Sequence, residues 1–229
     1  TPRQLLSLGV FAKHCREAMA LIATTNVEMS TWVGVYLLCT FDKMLDYENA
    51  CTSWYLKNEQ ITHLFNRFAI PVKWDFAEAS PIGGASGSWA SMLSSVTKSV
   101  DTCVRLPNNM QPPSVRLGSA KKGVVERLDA VVTDPPYYEA IGYAVVMDFF
   151  YVWLRRCLSG FGSEFTSAFA EELSPKWNHE EDDGELVDDA SRFGGDAAKS
   201  KLNYEMGMGA AFENFLRNIG EGGRLVIVF

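Results

Sequence analysis

The sequence predicts an α/β protein in which a mainly helical region precedes a parallel sheet. Three observations carry this. Between Pro2 and Pro71 there is no proline, and apolar residues recur there at three- to four-residue steps. Beyond Pro112-Pro113 the rhythm changes to short β-branched runs separated by helical stretches, the pattern of strand–helix–strand units. Finally, 229 residues that are 47% hydrophobic and 12% aromatic can bury a substantial core, which excludes global disorder.

The elements follow in chain order. Thr1-Pro2 reads as an N-cap followed by Pro at the first helical position, and Leu5, Leu8, Phe11, Cys15 and Met19 form one apolar stripe. A second helix is predicted from about Ser30 to Asp46 behind a Ser/Thr cap, so that residues 1–66 are mostly helical. Residues 71–88 hold Trp74-Asp-Phe-Ala-Glu78 and Pro81-Ile-Gly-Gly-Ala-Ser-Gly-Ser88, a loop by composition. A third helix covers about 89–104, and Pro107 with Pro112-Pro113 breaks the chain. Ser114-Val-Arg-Leu117 is a short strand ending at Gly118, and Asp129-Ala-Val-Val-Thr133 a buried strand ending at Asp134. A helix near 140–158, an acidic loop and a helix near 200–218 follow. The Gly220-Glu-Gly-Gly223 turn then stops that helix and feeds a strand at 224–229. The organisation expected is 1–106 mainly helical and 107–229 α/β, with the acidic loop at about 164–198.

Charge has to be divided before it is interpreted. The net −7 is concentrated between Glu164 and Asp189, where ten acidic residues face one Lys, a local −9 that leaves +2 elsewhere. A polyanionic partner is therefore compatible with the chain, and the acidic stretch 178–189 reads as a solvated, mobile loop. The five cysteines contain no CxxC pair, which predicts reduced, buried thiols in a cytoplasmic protein without a metal. His14, His63 and His179 lack ligand spacing and read as structural or surface residues. The apolar run Trp32–Phe41 is too short to span a bilayer, and no signal peptide opens the chain. Both ends read as internal, because Thr1 already starts a helix and the last strand stops without a turn. The expectation is a piece of a longer protein whose missing parts belong to the same chain.

The sharpest feature is Thr133-Asp134-Pro135-Pro136-Tyr137-Tyr138, directly after an apolar strand. At ordinary residue frequencies Asp-Pro-Pro-Tyr arises by chance in about one chain per thousand of this length. Ligands of open α/β sheets bind at the carboxyl ends of strands, where this motif stands. Two prolines give a stiff turn whose carbonyls lack local partners, and Asp134 adds a carboxylate. These acceptors suit an amino group, and the Tyr137 ring suits stacking of a planar base, worth about 1–3 kcal/mol. An amine conjugated to a base is a poor nucleophile. Accepting both of its N–H bonds at Asp134 Oδ and the Pro135 carbonyl localises the lone pair, and the contacts strengthen as positive charge develops on nitrogen. Methyl transfer to that amine is the chemistry this favours, with the base flipped out of a duplex.

The residues also carry a resemblance. Asp134-Pro-Pro-Tyr137 after a strand is similar to the catalytic motif of amino-methyltransferases acting on adenine N6 or cytosine N4. Thr1-Pro-Arg-Gln-Leu-Leu6, Trp74-Asp-Phe-Ala-Glu78, Ser86-Gly-Ser-Trp89, Val132-Thr-Asp-Pro-Pro-Tyr-Tyr138 and Asp148-Phe-Phe-Tyr-Val-Trp-Leu-Arg-Arg156, in that order, resemble the large zinc-ribbon-containing adenine-specific DNA methylases, and Phe212 to Phe229 resembles their closing helix, Gly turn and strand. The resemblance implies a Rossmann-like fold using S-adenosylmethionine, with Asp134, Pro135, Pro136 and Tyr137 at the target amine. It puts Gly118, Ser119 and Ala120 at the cofactor's adenine, DNA as partner, and a role in restriction–modification or defence. Tyr138, Lys121 and Lys122 would then lie toward the DNA, and the helical region 1–106 would be an insert or accessory region. The family's Gly-rich cofactor loop and zinc-ribbon cysteines are not in this sequence, and Glu139 stands where the family has Asp.

Other readings stay open on the residues alone. The acceptors recognise an amine, so cytosine N4 or an RNA base amine fits equally. A non-catalytic DNA-binding or assembly module of a defence complex fits a chain without the cofactor loop. Gly83–Ser88 lacks GxGxxG spacing and Lys, and reads as a plain loop. Phe149–Trp153 reads as core packing, with Arg155-Arg156 matching the dipole at the helix C-terminus.

Overall fold

A computed structural model describes residues 1–65, 70–105, 113–116, 118–122, 127–138, 142–162, 165, 177–178 and 183–228. Among these the chain is mixed α/β, with five α-helices and three two-stranded sheets. It divides into two compact units: Thr1–Met110 with Val146–Glu172, and Gln111–Val145 with Leu173–Phe229.

The first unit is built on helices α1 (Pro2–Ala23), α2 (Val27–Leu45) and α3 (Trp89–Val104). Thr1 opens α1 with the expected cap: its hydroxyl accepts from Gln4 N at 3.2 Å while the Gln4 side chain reaches back, the reciprocal box that satisfies two free donors. Leu8, Cys15 and Met19 of the stripe are buried, Phe11 stacks on Trp89 at 5.3 Å, and Leu5 is exposed. The cap of α2 is Asn26, which accepts from Met29 N at 2.8 Å, so the cap is Asn rather than the expected Ser/Thr and the helix starts at Val27, three residues before Ser30. Ser30 instead lies buried inside α2 and donates to the Met19 carbonyl at 2.7 Å, tying α2 to α1. Residues beyond α2 leave the helical path for a short hairpin, β1 (Trp54–Tyr55) paired antiparallel with β2 (Gln60–Ile61). Helix α3 matches its expected span, capped by Ser88.

Helix α4 (Tyr143–Leu158) begins in the second unit, but from Val146 onward it packs with the first. Cys157 and Leu158 join Leu38, Phe41, Met44 and Leu45 in one core, and Trp153 meets Phe41 edge to face at 5.6 Å. The division expected at 106/107 is thus not the division by packing. The aromatic face of α4 completes the helical core, which is why 146–172 groups with it. Its last carbonyls are capped from α1: Arg16 Nη1 donates to the carbonyls of Arg156, Cys157 and Ser159 at 2.8–3.1 Å. Arg155 and Arg156, expected to serve that end, lie over the rings of Tyr151 and Trp153.

The second unit contains β3 (Leu128–Thr133), β4 (Trp177–Asn178) paired antiparallel with β5 (Asp183–Gly184), a 3-10 turn (Ala190–Phe193), helix α5 (Ala197–Asn218) and β6 (Ile219–Ile227). Strands β3 and β6 pair in parallel, as strands separated by helices should, with Val131 opposite Leu225 and Thr133 opposite Ile227. Three expectations are corrected here. Ser114–Arg116 forms no strand and is exposed, with Val115 91% accessible; Leu117 lies outside the described residues. Strand β3 is not buried: Val132 is 71% exposed, because β6 is its only strand neighbour among the described residues. Nor does the glycine turn precede the last strand, since Ile219, already extended, ends α5 and opens β6. Residues 220–223 form a bulge inside β6, standing opposite Asp129 alone.

Three acidic residues of this stretch, Glu185, Asp188 and Asp189, make polar contacts within the fold. Glu185 accepts from Ala144 N at 2.9 Å at the start of α4 and pairs with Arg192 at 2.8 Å, and Val187 is 4% exposed. Asp188 accepts from Ser200 at 2.6 Å, Asp189 caps the 3-10 turn and Asp196 caps α5. These carboxylates fold back onto helix starts, where N–H groups need acceptors. Glu164, Glu171, Glu172 and 179–182 lie outside the described residues.

Candidate active site

Strand β3 delivers the Asp134–Tyr138 turn at its carboxyl end, and β6 runs beside it. Val228 N donates to Thr133 O at 2.9 Å, so pairing continues to the residue immediately before Asp134. From there the prolines end the ladder, since neither has an N–H to give. Asp134 is exposed, Pro135 buried and Pro136 half-buried, while Tyr137 and Tyr138 are each 45% exposed.

The two tyrosines point to different partners. Tyr137 donates its hydroxyl to Asp134 Oδ1 at 2.9 Å, closing a small ring of contacts within the motif. That hydrogen bond, and secondarily desolvation, raises the Tyr137 phenol above its ordinary pKa. Tyr138 turns to α5, where its hydroxyl meets Glu205 Oε1 at 2.5 Å and its ring meets Tyr204 edge to face at 4.7 Å. The Glu205 contact and then desolvation push the Tyr138 phenol up to about 12. Lys201 Nζ lies 5.5 Å over the same ring. Tyr138 is therefore engaged on its ring and its hydroxyl, and Tyr137 presents the freer ring.

Helix α5 also holds the turn's backbone. Tyr204, only 6% exposed, donates to the Pro136 carbonyl at 2.5 Å. Neither Tyr204 nor Glu205 stands out in sequence. The available signal is the i, i+3, i+4 spacing of Lys201, Tyr204 and Glu205, which sets them on one helical face.

The other expected positions are less concentrated. Gly118 and Ala120 are exposed, and Ser119 is half-buried. The Ala120 carbonyl accepts from Asn214 Nδ2 at 3.0 Å, and Ser119 accepts from Lys121 N and Lys122 N within its own turn. No atom lies within 4 Å of where a Cβ on Gly118 would stand, so that position is open. Asn214 and Tyr204 share α5 ten residues apart, about 15 Å along its axis. One helix thus touches both the 118–122 segment and the Asp-Pro-Pro-Tyr turn. Lys121 is half-buried and Lys122 exposed. Glu139 lies outside the described residues.

In the helical unit, the blocks quoted for the resemblance gather around α1. Arg3 pairs with Glu78, Thr1 Oγ1 donates to Glu78 Oε1 at 3.0 Å, and Thr52 holds the Ala77 carbonyl at 2.9 Å. Gly83–Ser88 is a series of turns, and Gly84 joins Ser91, Ser94, Ser95 and Lys98 around an open cavity of about 670 Å³. His14 pairs with Glu17, and His63 with Asp46 and Tyr47, both structural arrangements; His179 lies outside the described residues. All five cysteines are free, and burial pushes the thiols of Cys15 and Cys157 up to about 12 and about 11. Cys39 and Cys103 are exposed, against the expectation that the thiols are buried. Among the described residues no cluster could hold a metal ion, and no helix is long and apolar enough to cross a membrane.

No family model, curated protein or solved structure matches the chain.

Proposed function

We propose that the chain carries the target-amine site of an S-adenosylmethionine-dependent methyltransferase acting on the N6 amine of adenine flipped out of DNA. The fold proposed for the whole catalytic domain is Rossmann-like. The observation that carries the reading is the Asp134-Pro-Pro-Tyr137 turn at the carboxyl end of a parallel strand, with Asp134 exposed beside the Tyr137 ring. Its chemistry follows from the acceptors. Asp134 and the Pro135 carbonyl take the two N–H bonds of the amine, which keeps the nitrogen lone pair out of the ring and directed outward. Tyr137 stacks on the base, and its hydroxyl must leave Asp134 Oδ1 if the amine is to use that oxygen. When bound, S-adenosylmethionine supplies an electrophilic methyl on sulfur. Gly118, Ser119 and Ala120 are the residues that would hold its adenosyl end, with the open position at Gly118 giving a flat ring access to the backbone.

DNA is the proposed partner and the cytoplasm the proposed site of action. Replacing Asp134 with Ala in the full-length protein removes the carboxylate from an exposed position, so folding should be unaffected. Methyl transfer should fall by about 100-fold or more, measured as labelled methyl incorporated into DNA. Undiminished incorporation would sink the mechanism.

A further inference from the structure

We infer that Tyr204 is a positioning residue for the target base, fixing through the Pro136 carbonyl where the Tyr137 ring stands relative to the Asp134 and Pro135 acceptors. The inference rests on the proposed methyl-transfer reading and adds a residue that no motif contains.

Proline rings fix φ at Pro135 and Pro136. A residue that precedes proline is confined to extended ψ, which restrains Asp134 and Pro135. Peptide planes are rigid. Of the torsions through the two prolines, only ψ of Pro136 is left without a chemical restraint. It decides where the Pro136 carbonyl points and where Tyr137 departs. Pro136 offers no N–H and lies beyond the last ladder bond among the described residues, Val228 N to Thr133 O. The Tyr204 hydroxyl, 2.5 Å from that carbonyl, provides the missing restraint.

Tyr204 is itself held in place. It is buried, and its ring packs edge to face on Tyr138, whose hydroxyl is anchored by Glu205 one residue along α5. One turn earlier, buried Ser200 bonds to Asp188, and Asp196 caps the helix. The turn is thus braced from a helix whose start is fixed by two carboxylates, Asp188 and Asp196. Hydroxyl loss at Tyr204 leaves the Pro136 carbonyl without its donor but removes no carbon from the packing.

The test is Tyr204→Phe in the full-length protein, with steady-state methylation of unmethylated duplex DNA and hydrogen exchange read together. Expected are a kcat lower by about 10- to 100-fold, a KM for DNA within about twofold of wild type, and Tyr137 and Tyr138 amides exchanging about fivefold faster. The exchange of α5 and the thermal midpoint should be unchanged. A Tyr204→Phe enzyme with wild-type kcat overturns the inference and leaves the proposed function standing. So does a loss of activity that tracks a lower thermal midpoint or a raised KM, because that is a merely structural role. A wild-type protein that transfers no methyl group overturns the proposed function, and this inference with it.

Discussion

At the residue scale, the side chains that matter divide into acceptors left open and acids left buried. Asp134 is exposed and shares one oxygen with Tyr137, an arrangement suited to an incoming donor. Asp42 and Glu48 are the opposite case, each with a buried carboxylate oxygen that has no partner among the described residues. Desolvation pushes both carboxyls up to about 7, and Glu78 adds repulsion at Glu48. A carboxyl whose folded pKa is raised favours folding while it is protonated. That contribution is complete below its unfolded value near 4 and is lost as pH rises through about 7. For Asp42 alone the loss is about 2–4 kcal/mol. Asp42→Asn should therefore be more stable than wild type at pH 8 and should flatten the decline between pH 4 and 8. Denaturant melts across that range check it; a wild-type stability that rises with pH through this window, or an unchanged slope in the variant, contradicts the burial argument.

At the element scale, the helices were legible because their signals are local. Periodicity and capping chemistry lie within a few residues, so the spans of α3, α4 and α5 follow closely from sequence, and Thr1 caps α1 as expected. The strands were less legible. Val131-Val132 promised burial, yet exposure depends on what covers a strand, and that is not written in the strand itself. Ser114-Val-Arg has strand propensity, yet it forms no strand. The acidic segment was misread because its charges suggested solvation. Their partners, Ala144 N, Arg192 and Ser200, are brought to them only by folding.

The glycines of 220–223 were expected to stop a helix, but they let β6 bulge around Asp129 instead. A Cβ on Gly223 would lie 2.4 Å from Ile219 Cγ2 and 2.9 Å from the Asp129 carbonyl, a backbone atom that cannot easily give way. Gly223→Ala should cost about 1–3 kcal/mol, read from the denaturant midpoint. An unchanged midpoint would mean that the bulge is not the close approach described.

At the scale of the whole molecule, sequence and structure agree on a mixed α/β chain with a helical region and a parallel strand pair, and they differ on the boundary. Residues 146–172 follow the motif in sequence but belong by packing with α1–α3, because the aromatic face of α4 has its complement in Phe41 and Phe65. The proposed site at Asp134–Tyr137 could be read because four consecutive residues carry it. Tyr204, Glu205 and Asn214 were not, since each acts across 67 or more residues of chain.

The Asp134–Tyr137 turn is proposed to present a base amine for methylation. Nucleoside mass spectrometry settles it most directly, after unmethylated DNA has been incubated with the full-length protein and isotopically labelled S-adenosylmethionine. The prediction is label in N6-methyladenine. DNA that emerges without a labelled exocyclic amine, or with the label on a ring carbon, contradicts the assignment of the Asp134–Tyr137 turn as an amino-methyltransferase site.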